Sequence, residues 1–212
     1  MTANDRAAGK LRVLTVCTGN ICRSPMMEQM LRARLGDLSE YVDVSSAGTR
    51  ARDGDEMTAQ AAELSERYTG LPAAHRARLL RSEHVEASDL VLTATREHRS
   101  AVVSLYPRAS RYTFTLKQFV VLSTAASADE ELSGSTNAFA DSSRDFVSRV
   151  AGFRGQIAPV NSLQTEDIED PYRRSDEVYQ AVGQEINASI NAVVVQLLRL
   201  ERRGSRLESG AF

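Results

Sequence analysis

Cys17 and Arg23 are separated by Thr18-Gly19-Asn20-Ile21-Cys22 and followed by Ser24-Pro25. A thiol and a guanidinium at the two ends of so short a loop would face one small oxyanion. The guanidinium is a planar fork that can hold two equatorial oxygens of a phosphoryl group. A helix N-terminus beside the sulfur favours the thiolate, the form that attacks. Gly19 permits close backbone approach, and Asn20 tolerates the left-handed conformation better than most residues. The Gly-x-x-x-x-Gly-Lys-Ser/Thr pattern of a nucleotide loop is absent. These residue types therefore point to attack by sulfur on phosphorus.

The flanking residues supply the scaffold that such a loop needs. Residues 11–16 are an apolar run that reads as a buried strand, and 26–35 carry Met27, Met30, Leu31 and Leu35 at helical spacing. Ser24 is the expected N-cap, Pro25 the first helical residue and Gly36 the stop. Strand, tight loop and helix N-terminus together bind anions, because free backbone N–H groups point into the loop. Further strands are expected at 41–47, 89–93 and 111–114, alternating with helices at 57–68, 78–87, 96–106 and from 116, and a long amphipathic helix at 175–202. This alternation predicts an α/β fold with a four-stranded parallel sheet and helices on both faces. Ligands then sit beyond the carboxyl ends of the strands, where Cys17 and Ser46 fall.

The stretch Val16-Cys17-Thr18-Gly19-Asn20-Ile21-Cys22-Arg23-Ser24-Pro25 resembles the signature loop of the low-molecular-weight protein tyrosine phosphatases. Ser45-Ser46-Ala47-Gly48-Thr49 and Asp170-Pro171-Tyr172 match in chain order, and His75-Arg76-Ala77-Arg78 is a shorter match. The likeness covers about residues 10–120 and 165–200. It implies a metal-independent phosphatase acting on tyrosine-phosphorylated proteins through a cysteinyl-phosphate. Cys17 would be the nucleophile, Arg23 the clamp and Asp170 the general acid, with Thr18, Gly19, Asn20, Ile21, Cys22 and Arg23 cradling the phosphate. Ser24 would hydrogen-bond the thiolate, Asn20, Ser46 and His75 would lock the loop, and Tyr172 would wall the substrate ring. In relatives that act on phosphoarginine a threonine stands where this chain has Ile21, so the apolar side chain argues for phosphotyrosine. The loop at 50–56 lacks the aromatic residue that many relatives carry, and Phe139 or Phe146 could substitute. Cys22 reads either as an apolar filler or as a redox guard that forms a reversible disulfide with Cys17.

The rest of the composition mainly excludes. The 212 residues carry a formal charge of −2 with no basic tract, which argues against nucleic acid and membrane surfaces. One domain over 1–212 is expected, with a core at about 10–202, an insertion at about 123–163 and a mobile tail at about 203–212. The polar N-terminus is not a secretory signal, and two cysteines in one loop suit a reducing cytoplasm. No cofactor and no metal are expected, because two cysteines and scattered histidines do not make a zinc set. His84 and His98 read as surface residues in polar helical stretches. The insertion, with Phe139, Phe146, Val147 and Val150 at helical spacing, reads as an added surface helix or as a cap near the rim of the site. Two other functions stay open: thiol-dependent arsenate reduction, which in its thioredoxin-linked form needs downstream cysteines that are lacking, and a phosphate-sensing module without turnover. Physiological substrate and oligomeric state are not legible.

Overall fold

The computed structural model describes residues 9–128, 139–156 and 166–209. Four short strands rich in Val, Leu and Thr pair in parallel: β1 (Leu11–Cys17), β2 (Val42–Gly48), β3 (Leu90–Thr93) and β4 (Thr113–Thr115), in the order β2-β1-β3-β4. Parallel neighbours require crossover connections, so helices cover both faces and the strands are apolar on both sides. In β1, Leu11 and Val13 enter the larger core while Leu14 and Val16 enter the smaller one. The larger core also holds side chains of α1 (Arg23–Arg34), α2 (Ala59–Thr69), α5 (Leu116–Ala128), α6 (Phe139–Gly152) and α7 (Asp176–Ser209). The smaller core holds Val85 of α3 (Ser82–Glu86) and Val102 of α4 (Arg96–Leu105).

The local differences from the expected elements have identifiable causes. Cys22, not Ser24, occupies the N-cap of α1, so Ser24 lies inside the first turn with its side chain free for another partner. Residues 78–81 are extended rather than helical: Gly48 N–H donates to Arg78 O and Leu80 N–H to Gly48 O, adding a bridge to the end of β2. Gly70 closes α2 in the left-handed conformation, with φ of 70°. The final helix continues to Ser209, past the expected start of a mobile tail, and residues 210–212 lie outside the described residues. No helix among the described residues is long and apolar enough to cross a membrane.

The segment expected as an insertion does not cap the site in its described part; residues 129–138 and 157–165 lie outside the described residues. Arg144 pairs with Asp89 at 2.9 Å and donates to Lys10 O at 3.2 Å. Those partners precede β3 and β1, so α6 sits at the amino ends of the strands, away from Cys17 at a carboxyl end. Phe146 and Val150 are buried in the larger core, and the Phe139 ring lies 5.9 Å from that of Tyr41, just before β2. Phe139 and Phe146 do not supply the missing aromatic wall, because the contacts of Arg144 and Phe139 hold α6 at the amino end of the sheet.

Candidate active site

The carboxyl end of β1 delivers Cys17 to the floor of a cavity of about 210 Å³, whose lining includes Thr18, Ile21, Cys22, Arg23, Asp170 and Tyr172. A larger cleft of about 510 Å³ lies beside Met57, Ala74 and His75, and its lining holds no cysteine. Cys17 is 2% exposed, and its Sγ stands 3.0 Å from Ser24 Oγ. A thiolate can only accept, so in that state the serine hydroxyl donates to it.

The loop is held by a buried polar network centred on Asn20, which has the left-handed φ of 55°. Its Nδ2 donates to Ser24 Oγ at 2.9 Å and Ser46 Oγ at 2.8 Å, and its Oδ1 accepts from Arg78 N at 2.9 Å. His75 Nε2 donates to Asn20 O at 2.7 Å, and burial lowers the pKa of that histidine. Ser46 in turn donates to Glu28 of α1, which also pairs with Arg32. A fully satisfied buried network of this kind fixes one loop conformation. Gly48 completes the fit. A Cβ there would stand 2.5 Å from Thr18 O and 2.8 Å from Asn20 N, so only glycine lets β2 approach the loop this closely.

Arg23 is 3% exposed, and its two terminal nitrogens are engaged by one segment. Nη1 donates to Ile168 O at 3.0 Å, and Nη2 pairs with Asp170 Oδ2 at 2.9 Å. Nε is buried without a hydrogen-bond partner among the described residues. An unmet buried donor costs about 1–3 kcal/mol, a cost that a phosphoryl oxygen entering the cavity would remove. The acid segment is pinned to the sheet as well: Ile168 N–H donates to Ala94 O at 2.9 Å, and Asp167 accepts from the backbone of Arg96 at 2.7 Å. Asp170 Oδ1 accepts from Tyr172 N–H at 3.2 Å, a turn that holds the half-exposed Tyr172 at the cavity wall.

Several residues of the site carried no sequence signal of their own. His98, expected at the surface, is 5% exposed and bridges Thr18 Oγ1 and Thr95 Oγ1, each at 2.8 Å. Burial, reinforced by the charge of Arg23, pushes its pKa down to about 4. Thr95 caps α4 at the carboxyl end of β3, the sheet edge that also carries Cys17, and this placement is the signal that could have found His98. His84 is half-buried and its Nδ1 accepts from Arg81 N–H at the start of α3. Cys22 is buried, with Sγ 3.4 Å from Thr58 Oγ1 and 3.6 Å from Tyr179 OH. Burial raises the pKa of Cys22 and pushes that of Tyr179 up to about 12.

This geometry has close counterparts. Residues 12–147 match the model of the low molecular weight phosphotyrosine protein phosphatase family. A protein-arginine-phosphatase of Geobacillus stearothermophilus is 41% identical over 109 residues, which are 51% of this chain and 71% of that protein. The low molecular weight protein-tyrosine-phosphatase PtpB of Staphylococcus epidermidis is 32% identical over 110 residues, 52% of this chain and 74% of PtpB. Among solved structures, the YwlE arginine phosphatase from Geobacillus stearothermophilus superposes with a TM-score of 0.64 at 30% identity, covering 89% of this chain and 94% of that one.

Proposed function

The chain belongs to the low molecular weight phosphotyrosine protein phosphatase family, and from that premise we propose that it hydrolyses phosphotyrosine in proteins at the Cys17 loop. The observation that carries the reading is the convergence of Cys17, Arg23 and Asp170 on one cavity. The arriving phosphoryl group competes with Asp170 for the Arg23 fork and frees the carboxyl group. Freed from the guanidinium, Asp170 takes up a proton from solvent; Cys17 sulfur then attacks phosphorus as the bond to the aryl oxygen breaks, and Asp170 delivers that proton to the leaving oxygen. Water then attacks the cysteinyl-phosphate. Asp170, now a carboxylate, takes a proton from the water, and sulfur leaves as a thiolate that Ser24 hydroxyl stabilises. Backbone N–H groups of the loop and Arg23 hold the equatorial oxygens throughout, the preorganised stabilisation that supplies the largest share of rate in such reactions.

Ile21 and Tyr172 line the cavity, one apolar and one aromatic, and suit a flat phenyl ring. A second reading, phosphoarginine, is favoured by Asp55, whose carboxylate lines the same cavity and could face a guanidinium, and by the names of the relatives that act on it. Two buried free cysteines accord with a reducing compartment such as the cytoplasm. The discriminating experiment is phosphate release from matched phosphotyrosine and phosphoarginine peptides. Faster turnover of phosphotyrosine, with a narrower gap in Ile21→Thr, is the expected result; preference for phosphoarginine at matched concentrations would favour the second reading.

A further inference from the structure

We infer that the mouth of the cavity selects phosphotyrosine flanked by acidic residues, an inference that rests on the phosphotyrosine reading and narrows its substrate class. The mouth is cationic although the chain as a whole carries −2, so the charge is a local feature of this surface. Arg50 and Arg52, on the loop that follows β2, line the cavity. Arg173 lies with its guanidinium 5.1 Å from the centroid of the ring of Tyr172, which also lines the cavity. Arg50 makes no ion pair among the described residues, and Arg52, with a side chain 87% exposed, has only a loose contact to Asp55 at 3.7 Å.

The other acids of that loop do not neutralise the rim, because Asp53 and Glu56 pair with Arg81 and Arg76 at 3.5 and 2.6 Å. The backbone that presents the arginines is fixed. Arg50 N–H donates to Thr18 O at 2.9 Å, Gly54 N–H to Ala77 O and Ala77 N–H to Asp55 O, both at 2.8 Å. The backbone of Arg50 is thus one hydrogen bond from the phosphate cradle, and Arg50 and Arg52 line the same cavity. The phosphoryl dianion itself is held deeper, by Arg23. Carboxylates beside the phosphotyrosine are the groups left to meet Arg50 and Arg52, and guanidinium holds carboxylate in a paired fork.

The test uses the full chain and three phosphotyrosine peptides identical except for Glu, Ala or Lys on either side of the phosphotyrosine. The expected order of kcat/KM is Glu, then Ala, then Lys, with about threefold or more between Glu and Ala, carried by KM and shrinking with added salt. In the Arg50→Ala/Arg52→Ala variant the ratio between the Glu and Ala peptides falls to about one, as expected when the exposed charges that set it are gone. Should that variant fail to fold, Arg52→Glu on its exposed side chain is expected to turn the preference toward Lys. Equal rates for all three peptides, or a ratio that the arginine variants leave unchanged, would overturn the inference while leaving the phosphotyrosine reading intact. If none of the peptides is hydrolysed, both fall.

Discussion

The guanidinium of Arg23 and the carboxylate of Asp170 are paired at 2.9 Å, the first 4% and the second 52% exposed in their side chains. The clamp proposed for the equatorial oxygens and the acid proposed for the leaving oxygen are therefore in contact before substrate arrives. Binding exchanges a carboxylate for a phosphoryl group at one buried cation, so the clamp is never left without an anion. In the proposed mechanism the exchange also frees the carboxylate to take up the proton that it then gives to the leaving oxygen.

Asp170→Asn keeps the shape of the acid and removes its proton. General acids contribute about 10²–10⁴ in rate, and the need is greatest where the leaving oxygen is most basic. The variant is expected to lose far more kcat/KM on phenyl phosphate than on p-nitrophenyl phosphate, measured side by side. An equal loss on both would remove Asp170 from the acid role.

His98 gives a pH signature. Its folded pKa of about 4, set first by burial and then by Arg23, lies below its ordinary 6.5. Between those values the unfolded chain binds a proton that the folded chain refuses, so stability rises with pH across that window and is lost as pH falls through it. Urea midpoints taken from pH 7 to pH 4.5 are expected to fall less steeply in His98→Asn than in the parent, since both share the carboxylate titrations. Loss of the hydrogen bond to Thr18 also predicts a kcat/KM about two- to tenfold lower at pH 7.

Cys22 shares the cavity wall with Cys17. Peroxide converts the Cys17 thiolate to a sulfenic acid; attack by Cys22 sulfur then forms the disulfide and expels water. Because burial favours the thiol form of Cys22, closure of the disulfide should be slow. After a brief peroxide pulse, dithiothreitol is expected to restore the parent and not Cys22→Ser. Equal recovery would leave Cys22 as a packing residue.

Phe146 tests the role of the inserted helix. It is 1% exposed in the larger core, on the helix that Arg144 ties to Asp89 and Lys10 before β3 and β1. Phe146→Ala is expected to cost about 3–5 kcal/mol of stability. KM for an aryl phosphate should stay at the parental value below the melting transition, and a changed KM would connect this helix to the site after all.

The loop from Cys17 to Ser24 was legible because its chemistry is contiguous and is framed by an apolar strand and a helical period. Asp170 was legible only through the likeness of Asp170-Pro171-Tyr172 to a family pattern, since nothing local says that this turn reaches Arg23. His98, Tyr179, Thr58 and Glu28 were not legible, because their roles arise from contacts between elements distant in sequence. His98 shows the reason clearly: its stretch is polar, and it is buried only because the Thr18 turn crosses the N-terminus of α4. The helix at 139–152 was legible as a helix and not in its position, because the amphipathic pattern of α6 records that one face is buried without recording against what.

The most direct measurement is acid quench of Asp170→Asn during turnover of p-nitrophenyl phosphate, followed by mass spectrometry of the peptide containing Cys17. This good leaving group departs without the acid, while hydrolysis of the intermediate lacks its base, so a single phosphoryl group is expected to accumulate on Cys17 and to be absent from Cys17→Ala. Turnover by Cys17→Ala at the parental rate, or a phosphoryl group of Asp170→Asn on a residue other than Cys17, would contradict the account.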